Sequence, residues 1–256
     1  MQPASHYHCQ ATQVTNTLPV GEGCVYPLYT EAEHQRWRTL VARQEVLLPG
    51  RAADEFLSGV DALALRGDRI PALADVSRKL QAYTGWRIAR SPGLLSAEDF
   101  FTYLAQRVIP CTDFLRGAHE PSYAMVPDCF HDIFGHAPML VHPHFADFHE
   151  KVGQAAIKCR DPLLREGLVR IYRYTVEFGL IQGPQCPRIY GSRILSSDEG
   201  TQHSLSGHAR IWPFLPGVAA TLPVDAGAVP KRLFVIHSFA ELEAEFDAWA
   251  HRNGLA

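Results

Sequence analysis

Two histidines five residues apart, in Pro127-Asp128-Cys129-Phe130-His131-Asp132-Ile133-Phe134-Gly135-His136, set the hardest constraint on how this 256-residue chain folds. On a straight α-helix, at about 100° per residue, residues i and i+5 point roughly 140° apart. For the two imidazoles to share one partner, the helix must end between them. Gly135 offers that break, and Pro138 keeps regular helix from resuming at once. The spacing therefore predicts His131 at a helix end and His136 on the turn that follows. It is not the H-E-x-x-H pattern, in which residues four apart meet on one helical face.

A metal shared by these histidines needs a third ligand. Glu177 lies inside the apolar stretch Tyr174-Thr175-Val176-Glu177-Phe178-Gly179-Leu180. A buried carboxylate without a cation or a proton is costly. One reading is an ion pair with Arg173, since i and i+4 share a helical face. The other is a metal ligand, which with two histidines makes the open facial triad of non-haem iron(II) oxygenases. His142, His144 and His149 are further candidates nearby. His142-Pro143-His144 reads better as the loop that starts a helix, and His149 as a helix surface residue.

The rest of the chain bounds the class. Lys plus Arg total 24 and Asp plus Glu total 27, a net charge of -3 that gives no reason to expect nucleic acid or an acidic membrane as partner. No run of about 18 apolar residues is present, so no membrane-spanning helix is expected. The polar N-terminus shows no secretion signal. The six cysteines form no C-x-x-C pair, so they read as reduced thiols in a cytoplasm rather than as a zinc site or a redox dithiol.

Residues 1–25 lack periodicity and predict an irregular N-terminal arm, with a single domain over 26–256. Thr30 and Glu33 make a capping-box pattern ahead of Trp37, Leu40 and Val41. Pro71 stands at an expected first helical position, Leu73, Val76, Leu80 and Tyr83 form a stripe, and Gly85 fits the position after the helix. Trp86–Ala89 reads as a short strand. Ser96 with Asp99 reads as a helix start, and Asp161-Pro162 opens a segment running to about Leu180. Leu233–Ile236 reads as a strand, and Ser238 with Glu241 caps a final helix ending near Asn253. The fold class is mainly α with small β-elements.

Several motifs then stand in a familiar order: Tyr29-Thr30-Glu31-Ala32-Glu33-His34, Asp75-Val76-Ser77, Tyr83-Thr84-Gly85-Trp86-Arg87 and Pro92-Gly93-Leu94-Leu95-Ser96. The His131–His136 segment, Thr175-Val176-Glu177-Phe178-Gly179-Leu180 and Tyr190-Gly191-Ser192 follow. From about Val25 to the last helix the chain resembles the catalytic domain of the tetrahydropterin-dependent aromatic amino acid hydroxylases, bacterial phenylalanine hydroxylases in particular. The resemblance implies the catalytic-domain basket fold of that family. It implies iron(II) held by His131, His136 and Glu177, and a tetrahydropterin lined by Gly93, Leu94, Leu95 and Phe100, with Phe100 stacked on its ring and Asp132 facing it. Tyr172 would stand beside both groups. Asp128 would orient a ligand histidine. Arg116, helped by Ser196, would clamp the carboxylate of an aromatic amino acid substrate, although Arg116 also reads as a surface residue in a Gly-rich turn. The implied reaction is ring hydroxylation, with the pterin and the ring each taking one atom of dioxygen.

The substrate side departs from the family pattern. Tyr172-Arg173-Tyr174 stands where a Trp usually occupies the middle position, and Tyr190-Gly191-Ser192-Arg193 where a Gly usually ends the motif. Ser196-Ser197-Asp198-Glu199-Gly200 places Gly200 at a usual Glu. Tyr123-Ala124-Met125-Val126-Pro127 replaces another stretch, so Ala124, Met125 and Pro127 join Arg173 and Arg193 as substrate-side candidates. The two arginines have three readings: they pair with Asp198 and Glu199, they bind an extra anionic group, or they reorient the ring so that another carbon, or an indole, is hydroxylated. Rival functions are a zinc hydrolase on the same ligands and a binding protein that lost activity. Because animal members add a C-terminal tetramerisation helix with no counterpart in this sequence, the expected state is a monomer.

Overall fold

Thr30 begins the first long helix as its sequence predicts. The Glu33 amide donates to Thr30 Oγ1 at 3.3 Å, and the Thr30 amide donates back to the Glu33 carboxylate at 2.7 Å. Helix α1 (Glu31–Leu47) then buries His34, Trp37, Leu40, Val41 and Gln44. This computed structural model describes residues 18–25, 28–117, 126–224 and 230–256. Most of the expected arm, and Ala124 and Met125, lie outside the described residues. Where the arm is described it is packed: Val20 bridges Ala89, and Cys24 is buried after the short 3-10 turn Gly21–Gly23.

Helix α2 (Asp54–Leu63) has no counterpart in the sequence reading. It ends on Ala64 in the left-handed region at φ 55°, a conformation a non-glycine residue adopts at some cost. Helix α3 (Leu73–Thr84) starts after Ala72, so Pro71 precedes the helix rather than opening it. Its inward stripe departs from expectation only at its last position. Leu73, Ser77 and Leu80 are buried and Thr84 turns in, donating to the Leu140 carbonyl at 2.6 Å, while Tyr83 is 54% exposed. Val76 is buried as expected, so three of the four expected positions face inward and only Tyr83 falls outside the stripe. Gly85, at φ 79°, ends the helix as predicted.

Strand β1 (Arg87–Ser91) pairs in parallel with β2 (Val108–Thr112), joined through helix α4 (Ala97–Leu104), which Ser96 caps by accepting from the Asp99 amide at 3.1 Å. A π-helical turn follows at His131–His136, then a 3-10 turn at Ala137–Val141. Helix α5 (Pro143–Lys158) has His142 as its cap residue and Pro143 in its first turn. Helix α6 (Pro162–Tyr172), capped by Asp161, passes directly into a second π-helical turn at Arg173–Glu177.

The second sheet has the order β4-β3-β6-β5, with β3 (Leu180–Gln182), β4 (Pro187–Ile189), β5 (Arg210–Pro213) and β6 (Arg232–Ile236). Only β3 and β4 run antiparallel. Short helices α7 (Ser192–Leu195), α8 (Asp198–Ser204) and α9 (Pro216–Ala219) lie between the strands, and α10 (Phe239–Arg252) closes the chain. One apolar cluster runs from α1 to α10, and helix predominates over strand.

Close approach, rather than turn geometry, sets one glycine. A Cβ on Gly59 of α2 would lie 2.1 Å from the Pro138 carbonyl oxygen, in the turn just after His136. Gly59→Ala is therefore expected to cost about 3 kcal/mol through overpacking. In a domain of this size that lowers Tm by roughly 6–12 °C, measured by thermal denaturation.

Candidate functional site

The two π-helical turns carry the candidate ligands. A π turn bonds residue i to i+5, so residues five apart come into register. His131 and His136 are therefore neighbours without any break between them, and the expected helix end at His131 is corrected. Gly135 serves packing instead: a Cβ there would stand 2.8 Å from the Ser192 carbonyl oxygen on α7. The second π turn ends at Glu177. Glu177 turns to the two histidines, and among the described residues no ion pair joins Arg173 to Glu177.

The donor atoms converge. His131 Nε2 and His136 Nε2 are 3.0 Å apart. Glu177 Oε2 is 3.6 Å from the first, and Oε1 is 3.4 Å from the second. With metal–donor bonds of roughly 2.1 Å, donors at right angles about one ion stand about 3 Å apart. Both histidines are buried, and Glu177 Oε2 is shielded from solvent with no hydrogen-bond partner. That orphaned oxygen, facing two imidazole nitrogens, fits a divalent cation between them.

Protonation states agree. Burial pushes His131 down to about 4, so its imidazole is neutral at pH 7. Burial alone would raise Glu177, but His131 and His136 hold it well below the ordinary carboxylate range. The ring of His131 is set by Ser196, whose Oγ is 3.0 Å from Nδ1. A proton on Nδ1 leaves the Nε2 lone pair toward the site. Ser196→Ala is expected to weaken metal binding by roughly 10–100-fold, read by competition with a chelator.

Asp128 orients His131 through the backbone rather than the ring: Oδ1 accepts from the His131 amide at 3.0 Å. The rest of its carboxylate is taken by Arg116. Arg116 Nε donates to Oδ2 at 2.8 Å, Nη2 to Oδ1 at 2.6 Å, and the Arg116 amide to Oδ2 at 2.8 Å. Nη1 donates to the Ser196 carbonyl at 3.0 Å. Arg116 is thus a buried cation, 4% exposed, rather than the surface residue.

A cavity of about 400 Å³ opens beside the three ligands. Gly93, Leu94, Leu95 and Phe100 line one side. Asp132, Tyr172, Pro127, Arg173 and Arg193 also border it. Tyr172 stacks near His136 with ring centroids 6.5 Å apart and meets Phe100 edge-on at 5.4 Å. Asp132 Oδ2 accepts from the Thr112 amide and hydroxyl, both at 2.8 Å, and burial raises its carboxyl to about 7. Arg116 and Ser196 border a separate void of about 10 Å³ with Pro127, His131 and Arg193. Asp198 is held by Gln44 at 3.1 Å and Arg43 at 3.6 Å, on α1.

The sequence reading missed His149. It was expected on a helix surface and is fully buried, edge-on to Tyr172 at 5.3 Å and to Trp86 at 5.2 Å, with its ring 6.1 Å from that of His136. Nε2 lies 3.4 Å from the Tyr172 hydroxyl. Burial drives its pKa well below the usual histidine value. Counting from Pro143 exposes the signal: Phe145, His149, Val152 and Ala156 share one helical stripe.

A buried two-histidine, one-carboxylate cluster at the floor of an apolar cavity, in a mainly helical fold with small sheets, defines a mononuclear metal-site enzyme scaffold. The family model of the biopterin-dependent aromatic amino acid hydroxylases matches residues 8–253, and the chain belongs to that family. The phenylalanine-4-hydroxylase of Pseudomonas aeruginosa is 40% identical over 233 residues, covering 91% of this chain and 88% of that protein. Among solved structures, Chromobacterium violaceum phenylalanine hydroxylase with bound iron(III) and 7,8-dihydrobiopterin superposes at TM-score 0.86, with 39% identity, covering 94% of this chain and 88% of that one. The same enzyme with iron and phenylalanine bound superposes at TM-score 0.84, with 38% identity and coverages of 96% and 90%.

Proposed function

We propose that the protein is an iron(II)- and tetrahydropterin-dependent monooxygenase that hydroxylates the ring of an aromatic amino acid, with a phenylalanine-like substrate as the first reading. The observation that carries this is the convergence of His131, His136 and Glu177 at the floor of the cavity that Gly93, Leu94, Leu95 and Phe100 also line. His131, His136 and Glu177 hold the iron. Gly93, Leu94, Leu95, Phe100 and Asp132 receive the pterin. Together these two groups supply activation of dioxygen and transfer of one oxygen atom to the ring.

The chain's own residues position and exclude. Ser196 fixes the His131 tautomer, and Asp128 anchors the His131 backbone. Tyr172 and Phe100 meet edge-on at 5.4 Å and present an aromatic wall to the cavity. The mostly apolar lining favours a ring over water beside the metal ligands, and so orients the reacting groups.

A second reading keeps this chemistry and changes the substrate or the ring position, and Arg173 and Arg193 on the cavity wall favour it. The protein is further proposed to work as a cytoplasmic monomer over a single catalytic domain, 26–256. Among the described residues no helix is long and apolar enough to cross a membrane, and Cys24, Cys111, Cys129, Cys159 and Cys186 are free thiols, in keeping with a reducing compartment. Size exclusion then gives one chain mass, 28.5 kDa.

The test is to load iron(II), add a tetrahydropterin, dioxygen and aromatic amino acids, and follow the gain of one oxygen by mass spectrometry. Product formation should require all three additions. Pterin oxidation with none of the amino acids would count against the hydroxylase and revive the binding-protein reading; activity with zinc alone would favour the hydrolase.

A further inference from the structure

His149 places an imidazole where the core would accept an apolar side chain. It is fully buried on α5, and its ring meets those of Trp86 at 5.2 Å, Tyr172 at 5.3 Å and Phe145 at 5.6 Å, each nearly edge-on. Nδ1 is shielded from solvent and has no hydrogen-bond partner among the described residues. Nε2 has one, the Tyr172 hydroxyl at 3.4 Å. A buried polar atom without a partner costs free energy, and a leucine or phenylalanine here would leave no such atom. Packing therefore does not call for a histidine. What the imidazole adds to an apolar ring is its contact with Tyr172.

Tyr172 belongs to the cavity. It ends α6, borders the cavity beside the metal ligands, and lies near His136 with the two ring planes 25° apart. It also meets Phe100 edge-on at 5.4 Å and Phe101 at 5.8 Å. Ring contacts of this kind tolerate sliding, whereas a hydrogen bond is directional. The hydroxyl is the one polar atom of this side chain, and His149 Nε2 is its hydrogen-bond partner among the described residues. That contact holds the tip of the ring against α5. Phe100 lines the same cavity with Gly93, Leu94 and Leu95, while His149 does not line it. A line of contacts thus runs from His149 through Tyr172 to Phe100.

Resting on the hydroxylase reading, we propose that His149 is a positioning residue of the pterin site: its Nε2 pins the Tyr172 hydroxyl, and the pinned Tyr172 ring holds Phe100 at the angle that receives the pterin. His149 acts only through Tyr172. The orphaned Nδ1 is the stability given up for that geometry.

Anaerobic calorimetric titration of the iron(II)-loaded protein with 7,8-dihydrobiopterin reads the site without turnover. His149→Leu should bind this pterin about three- to tenfold more weakly than the wild type, the range expected for one lost hydrogen bond. His149→Gln, whose side-chain amide reaches the place of Nε2, should recover binding to within about twofold, and His149→Asn, which ends near Nδ1, should not. Tyr172→Phe should lose as much as His149→Leu. The double variant should lose no more than either alone, because both changes break one contact. It should also melt no lower than the wild type, since both buried polar groups are gone; a histidine kept for stability would give a lower Tm. Wild-type binding by His149→Leu overturns the proposal, as do single losses that add in the double variant. Should His149→Leu fail to fold, equal binding by the Gln and Asn variants overturns it instead. A wild type that binds no pterin sinks the hydroxylase reading and the proposal with it. Pterin binding that none of these variants alters sinks the proposal alone.

Discussion

Glu177→Ala is expected to empty the site of iron and drop pterin-dependent hydroxylation by about 10³-fold or more, beyond the 10–100-fold typical of losing a residue that merely supports a ligand. Two imidazole nitrogens 3.0 Å apart remain, but nothing balances the charge of a divalent ion between them. The protein itself should still fold. Without metal, Glu177 Oε2 is a solvent-shielded oxygen lacking a hydrogen bond, so its removal takes away a cost rather than a support. The wild type should therefore gain thermal stability on adding iron(II), and the variant should gain none. Metal analysis together with paired melting curves checks both parts. A variant that still binds iron with wild-type stability gain would remove Glu177 from the ligand set.

The second large effect lies one layer out. Arg116→Met leaves Asp128 ionised and fully buried without its guanidinium, which is expected to cost about 3–5 kcal/mol. For a domain of this size that is a fall in Tm of roughly 6–20 °C. The double replacement Arg116→Met with Asp128→Leu should recover part of the loss. Recovery stays incomplete because the His131 amide loses its acceptor, at about 1–3 kcal/mol. The same pair gives a pH dependence whose sign is fixed. Burial would raise the Asp128 carboxyl, yet Arg116 brings it below its ordinary value. A depressed folded pKa means the stabilisation is complete above the unfolded value of about 3.9 and is lost as pH falls through the lower folded one. Acid unfolding of the wild type should therefore be steep below about pH 4, and the double variant should show a shallower loss there.

Much of the architecture is legible in local chemistry. Thr30, Ser96, Asp161 and Ser238 each cap the helix that their pattern announces, because a cap is an agreement between residues two or three apart. Gly85 ends its helix for the same local reason. Helix α2 went unread because it carries no side-chain cap and stops on an alanine. The metal cluster was legible in its residues, while the π turns that assemble it were not. A helical wheel with 3.6 residues per turn sets His131 and His136 apart, and only the i→i+5 register brings them together.

The sequence by itself determined the side-chain-capped helices, the mainly helical class, the family and the three candidate ligands, since each rests on residue type and short spacing. Tertiary structure alone decided which way the polar groups turned. Arg116 pairs with Asp128, Ser196 reaches the His131 ring, and His149 enters the core beside Tyr172. The reason is physical: a buried charge or imidazole takes whichever partner packing brings within about 3 Å, and those partners lie up to 80 residues away in the chain.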